Sequence, residues 1–388
     1  MHLDDDIVHR ILLSVEFKER HALARVSKQF SYILSSRADM WENDAEFVVS
    51  HTHTIKLCVR WMRTRWFRSL RIFIRYPWQL YNADKDLEAC NIFMNFLGAF
   101  ASRLHHLDIS VPYHINLQQY APFVNMCTSL RSLRMYVYEM HRDLDFNNLT
   151  CLETLSIESY MPIRVVTECT LRSLTSLEMK SKSSSIAIDN MNVPNLKRFS
   201  LEGAHFAHLP ANLGELTSLT SLSFQRCNLI HLPSYMSTLT SLRHLRISRN
   251  SLMSIENLPP NLVLLDASHN MCVEFDAIHT RLEILDISCN PYISRLETLN
   301  LPNLKSVSCC AIPTQTFLSK SKHLQTIHIH DACRGYRLTN PPSQPISRGP
   351  TTTATRLFLD AEIYDARDAS AELVDFFHTN PQMQIMSS

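Results

Sequence analysis

Two histidines stand two residues apart in "IHIHD" (327–331), and His328 and His330 would share one face of any strand that carries them. Paired imidazoles can bind a transition metal, but no third ligand can be assigned nearby, so the pair reads as two side chains on an exposed sheet face. Cys309 and Cys310 are adjacent, so a strand would point them to opposite faces, with Cys309 replacing an inward apolar residue. In "KLCVRWMRTRWFRSLRIFIRYPW" (56–78), Trp61, Trp66 and Trp78 are interleaved with Lys56, Arg60, Arg63, Arg65, Arg68, Arg71 and Arg75. That mixture suits single-stranded nucleic acid, yet the rest of the chain supplies no basic track to extend it. No glycine-rich phosphate loop, nucleophile elbow or HExxH stretch is present. Catalysis by this chain is therefore not expected.

Composition narrows the partners. The chain has 388 residues, is 45% hydrophobic, and sets 38 basic against 37 acidic residues for a net charge of +1. A large core is possible, and neither nucleic acid nor an anionic membrane is expected as the main partner. The apolar stretch "IFMNFLGAF" (92–100) is too short to span a bilayer. The N-terminal "MHLDDDIVHR" does not read as a signal peptide, and the 11 cysteines show no CxxC pairing. Free thiols in cytosol or nucleus are the expectation.

The elements that would carry these residues follow from a repeat. "SLRHLRISRNSL" (241–252) places Leu242, Leu245, Ile247, Asn250 and Leu252 at spacings that fit neither a helix nor a plain strand. The pattern L-x-x-L-x-L-x-x-N-x-L returns from Leu219, with Cys227 at the Asn position, and from Leu262 and Leu282 with Asn270 and Asn290. Degraded forms begin at Leu104, Leu130, Leu152, Leu174, Leu196, Leu304 and Leu324, at intervals of 20 to 26 residues. On these residues the chain resembles the leucine-rich-repeat family from roughly residue 65 to its end. The resemblance implies an α/β fold, a leucine-rich-repeat solenoid whose curved parallel β-sheet forms a horseshoe.

Physics supplies the roles within a repeat. Leu245 and Ile247 point inward from one strand face, and stacked neighbours must bury what one repeat cannot. The amides of Asn250, Asn270 and Asn290 should pair buried backbone groups of adjacent turns. That ladder lapses at Tyr138, Tyr160, Lys182, Ala204 and Ile312. "HLPANLGELTSL" (208–219) and "HLPSYMSTLTSL" (231–242) are expected to form short helical or turn connections. Leu87, Ile92, Phe93, Phe96 and Phe100 suit an amphipathic helix. Residues flanking the inward pair should form the concave, target-binding face: Gln225, Arg226, His244, Arg246, Arg249, Asp266, His269 and Asp286, with His328 and His330 beyond.

Residues 3–41 do not carry the repeat. Leu3, Ile7, Ile11, Leu12 and Val15 form one helical stripe, Leu23, Val26, Phe30 and Ile33 another, and Trp41 closes the unit. This stretch resembles the F-box, the helical motif that docks a Skp-family adaptor and so a cullin scaffold. Asp4 stands where the family has Pro, and Arg20-His21 where it has Leu-Leu. The resemblance implies adaptor binding through Leu3, Ile7, Ile11, Leu12, Val26 and Trp41.

The expected organisation is a helical F-box-like unit at 1–45, the solenoid at 46–335, a Pro/Ser/Thr-rich loop at 336–353 and a C-terminal cap at 354–388. "TRLFLDAEI" should add a strand and "DASAELVDFFH" a closing helix. The implied function is substrate recognition for an SCF-type cullin ubiquitin ligase, without cofactor or metal, acting on an unknown protein target. The other reading is a repeat-protein scaffold whose N-terminal helices only cap the solenoid.

Overall fold

The computed structural model describes residues 45–49, 69–74, 98, 101–110, 121–137, 146, 148–165, 171–183, 186–188, 192–204, 211–275, 281–293, 299–310, 317, 320–329, 356–359 and 384–387. The chain divides into two compact units, Met1–Ser183 with Ala187–Val193, and Ser184–Ile186 with Pro194–Ser388.

The first unit contains β1 (Ala45–Val49), β2 (Ser69–Ile74), β3 (His106–Ser110), helix α1 (Ala121–Met126), β4 (Ser132–Val137), β5 (Thr154–Ser159), β6 (Ile163–Val165) and β7 (Ser176–Ser181); β8 (Ile186–Ile188) follows. Strands β1, β2, β3, β4, β5 and β7 pair in that order, each parallel to the next. Leu70, Leu107, Leu133, Leu155 and Leu177 fall in one register row. Ile109, Met135, Ile157 and Met179 form the next inward row and are buried. Period-2 alternation thus gives each strand one core face, as a parallel stack requires.

The second unit continues with β9 (Arg198–Glu202), β10 (Ser221–Gln225), β11 (His244–Arg246), β12 (Ser254–Ile255), β13 (Leu264–Asp266), β14 (Glu274–Phe275), β15 (Ile284–Asp286), β16 (Ser306–Cys309), β17 (Thr326–Ile329), β18 (Arg356–Leu359) and β19 (Gln384–Ser387). Strands β9, β10, β11, β13, β15, β16, β17, β18 and β19 pair parallel in sequence, while β12 pairs with β14 in a small side sheet. Phe199, Leu222, Leu245, Leu265, Leu285, Val307 and Ile327 make one inward row, each buried. Phe199 and Phe224 meet edge to face at 5.7 Å and 86°.

Two backbone devices recur. The first Leu of a repeat closes a tight turn onto the residue three before it, as Leu219 N–H does to Leu216 O at 3.0 Å and Leu242 N–H to Leu239 O at 3.1 Å. Two successive N–H groups then donate to one carbonyl of the previous repeat, as Arg243 and His244 do to Thr220 O at 2.9 and 3.1 Å. The first Leu of every repeat from Leu104 to Leu324 is buried at that turn. These bonds fix register before the strand begins.

Both expected connections form short 3-10 turns, Ala211–Glu215 and Ser234–Thr238. The expected strand in "TRLFLDAEI" is β18. Two strands of the main ladders escaped the sequence reading. Among the described residues, the ladder of the first unit begins at β1, some way before the first repeat recognised from leucines, and that of the second runs on to β19. Neither AEFVV nor QIMS carries the leucine pair. The closing helix of "DASAELVDFFH" and nearly all of the helix proposed for 87–100 lie outside the described residues. Among the described residues no helix is long and apolar enough to cross a membrane, and no cluster of three metal-ligating side chains occurs.

One expectation is corrected. Cys127, Cys151, Cys227, Cys272, Cys289 and Cys309 are not disulfide-bonded, but Cys310 is, its partner lying outside the described residues. Cys309 is 1% exposed and pairs across the sheet with Ile329, filling an inward place. Cys310 turns away from the core at the strand end, where its Sγ lies 3.0 Å from the Cys289 N–H. A side chain so placed can reach a neighbouring thiol, which an inward one cannot.

Candidate interaction surface

The candidate surface is the outward face of the sheet, and the asparagine ladder holds its edge in place. Asn250 donates through Nδ2 to Phe224 O at 2.7 Å and Ile247 O at 2.8 Å, and its Oδ1 accepts from Cys227 N–H at 2.8 Å and Leu229 N–H at 3.2 Å. Asn270 repeats this with Ile247 O at 3.0 Å, Ala267 O at 2.9 Å and Leu252 N–H at 3.1 Å. Asn290 does so with Ala267 O and Ile287 O, both at 3.0 Å, and with Cys272 N–H at 3.1 Å. Each amide joins its own turn to the one before, so buried backbone groups are satisfied between repeats. Cys227 does less in that position, its thiol donating to Gln225 O at 3.2 Å.

In the first unit, where the ladder lapses, serines replace it. Met161 N–H donates to Ser159 Oγ at 3.1 Å, and Ser181 Oγ donates to Met161 O at 3.3 Å; both serines are buried. At the lapsed positions Lys182 Nζ stands 3.9 Å from the Tyr160 ring centroid and 3.6 Å from Glu158. Its ammonium is held above the usual lysine range, first by its bond to Tyr160.

In the five repeats of the second unit from β9 to β15, the residue before the ladder position adopts the left-handed conformation: Gly203 at φ 72°, Arg226 at 53°, Arg249 at 58°, His269 at 55° and Cys289 at 55°. This kink turns the backbone off the strand and leaves Arg226, Arg249 and His269 exposed. Nothing in these residue types announces it; only Gly203 is of the type that favours it.

Across the outward face, one register row reads Arg198, Ser221, His244, Leu264, Ile284, Ser306 and Thr326. The next outward row reads Ser200, Ser223, Arg246, Asp266, Asp286, Ser308 and His328. His244 and Arg246 are exposed beside Leu245, which is fully buried. Gln225, Asp266, Asp286 and His328 are half-buried, and His330 lies outside the described residues. Arg246 and Asp266 are register partners, so a basic and an acidic side chain stand on neighbouring strands.

The acidic residues have work within the fold. Asp266 Oδ1 accepts from Ser268 N–H at 3.1 Å and Ser268 Oγ at 2.7 Å, and Asp286 Oδ1 accepts from Ser288 N–H at 3.0 Å and Oγ at 2.7 Å. The recurring D-x-S of "LLDASHN" and "ILDISCN" is the signal that sequence reasoning passed over. Glu202 is likewise engaged, 3.5 Å from Arg226. Leu264 and Ile284 were also missed, and Ile284 is 43% exposed on this face.

Buried thiols line the inside. Burial pushes Cys127 up to about 12, Cys227 to about 11 and Cys272 to about 12, so these groups stay neutral packing atoms. Leu3, Ile7, Ile11, Leu12, Val26 and Trp41 lie outside the described residues.

Residues 1–40 match the family model for the F-box domain. An F-box domain precedes the leucine-rich repeats. No curated protein matches this chain. Among solved structures, the repeats resemble the functional domain of InlJ from Listeria monocytogenes, described as including a cysteine ladder. That likeness has 17% identity and a TM-score of 0.40, covering 68% of this chain and 59% of the other. The leucine-rich-repeat protein LIC12759 from Leptospira interrogans is 15% identical with a TM-score of 0.42, covering 89% of each chain. The internalin InlF from Listeria monocytogenes is 15% identical with a TM-score of 0.44, covering 96% of this chain and 93% of that one. The F-box match lies outside all of the described strands, so the two parts are established separately, one by sequence and one by strand register.

Proposed function

We propose that this chain is the substrate-recognition subunit of an SCF-type cullin ubiquitin ligase. The F-box match at residues 1–40, ahead of a repeat array with an open sheet face, is the observation that carries this reading. The F-box docks a Skp-family adaptor through Leu3, Ile7, Ile11, Leu12, Val26 and Trp41, and the adaptor joins a cullin scaffold. The repeats hold the target protein. The chain itself makes and breaks no bonds. It raises the effective concentration of a target lysine beside a ubiquitin-charged enzyme that others supply. The reaction belongs to cytosol or nucleus; the thiols give that placement no support, since Cys310 is bonded.

The test is a pull-down of the full-length chain with purified adaptor and cullin. The expected result is a stable ternary complex, lost on replacing Ile11 and Leu12 together with Asp. A folded chain that captures no adaptor would instead be a repeat scaffold with N-terminal capping helices.

A further inference from the structure

We infer that the outward face over β10, β11, β13 and β15 recognises a short acidic segment of a partner protein, with its carboxylates over the arginines and an apolar residue over Ile284. The inference rests on the receptor reading and names the kind of segment that the receptor takes.

Two exposed arginines and one exposed histidine of this face have no side-chain partner among the described residues. Among the described residues, the side chains of His244, Arg246 and Arg249 form no ion pair and no hydrogen bond. Arg226 is paired with Glu202 at 3.5 Å while remaining 57% exposed. The kinked backbone places Arg226 and Arg249 at equivalent points of consecutive repeats, and parallel neighbours lie about 4.8 Å apart. Two arginines in repeats at that spacing can share one anion, and their planar forks suit carboxylate oxygens.

The neighbouring carboxylates do not fill that role. Asp266 is the register partner of Arg246, yet its Oδ1 is committed to the Ser268 N–H and hydroxyl, and Asp286 is committed to Ser288 in the same way. These acids are half-buried, turn-forming groups of the fold, so the exposed charges on this part of the face are the arginines. Its free groups are positive on and just after β11 and apolar on β13 and β15, where half-buried Leu264 adjoins exposed Ile284.

Size and charge select the occupant. Three strand spacings separate β10 from β15, about 14 Å, which four or five residues of extended chain would cross. A nucleic-acid strand fits poorly, because the exposed arginines are confined to two consecutive repeats and adjoin apolar Leu264 and Ile284, so successive phosphates would find no further partner. A protein segment with clustered Glu or Asp, followed by one aliphatic side chain, meets both the arginines and Ile284.

The experiment pans a synthetic library of eight-residue peptides, varied among Glu, Lys, Ser and Leu, on the full-length chain, with adaptor binding measured on the same samples. The wild-type chain should retain peptides that carry Glu three to five residues from a Leu, enriched over Lys by about tenfold or more. R246E with R249E should invert the preference toward Lys, and I284S should remove the preference for Leu with melting unchanged. Retention of no peptide, the same selection by wild type and R246E/R249E, or complete displacement by an oligothymidine of equal length would overturn the inference. If adaptor binding persists while peptide selection fails, the segment class alone is wrong. If peptide selection succeeds without adaptor binding, the receptor reading fails and the surface stands.

Discussion

Asn270 is 4% exposed and spends its amide on three carbonyls and one N–H, spread over two turns. Replacing it with Ala strips all four partners at once at a buried site, so Asn270→Ala should cost about 3 kcal/mol in urea unfolding. Gly203, at φ 72°, predicts a smaller effect: Gly203→Ala should cost about 1 kcal/mol, because a Cβ is disfavoured in that conformation. The thiols offer a chemical check, since only the thiolate is nucleophilic. With their values pushed up to about 12, 11 and 12, Cys127, Cys227 and Cys272 should resist a thiol reagent at pH 8.5 until the chain is unfolded, while exposed Cys151 reacts at once. At this scale the asparagine ladder was legible, because Asn recurs at a fixed place after the leucine pair. The left-handed kinks at Arg226, Arg249 and His269 were not, because long side chains carry no signature of positive φ.

In the strands, alternation decides everything. Leu245 is fully buried and His244, its neighbour, is exposed. Leu245→Ala should therefore lower stability by roughly 2–5 kcal/mol, the usual range for truncating a buried Leu. His244→Ala should leave the melting temperature nearly unchanged. Equal losses from the two variants would mean that the inward register is misassigned. The regular strands from β9 to β17 could be read from sequence because L-x-L fixes both period and face. The strands β1 and β19 could not, since AEFVV and QIMS offer only a few residues of alternation without the flanking leucines. The D-x-S turns after β13 and β15 were open to recognition as paired Asp and Ser, but charge drew the eye to Asp266 and Asp286 as binding residues.

In the whole molecule an F-box at residues 1–40 precedes an array that presents an outward sheet face, and the proposed function requires the first part to bind an adaptor. The sequence offers apolar side chains at Leu3, Ile7, Ile11, Leu12, Val26 and Trp41, and interfaces concentrate their energy in a few such anchors. The most direct measurement is calorimetric titration of purified Skp-family adaptor into the full-length chain. The account predicts a one-to-one complex with a Kd on the order of 1 μM or tighter, equivalent to about 8 kcal/mol. Replacing Ile11 and Leu12 with Asp should weaken it at least about a hundredfold, the loss of two buried anchors, with no change in the melting of the repeats. A wild-type chain, folded by its melting transition, that gives no heat and no complex with the adaptor would contradict the account.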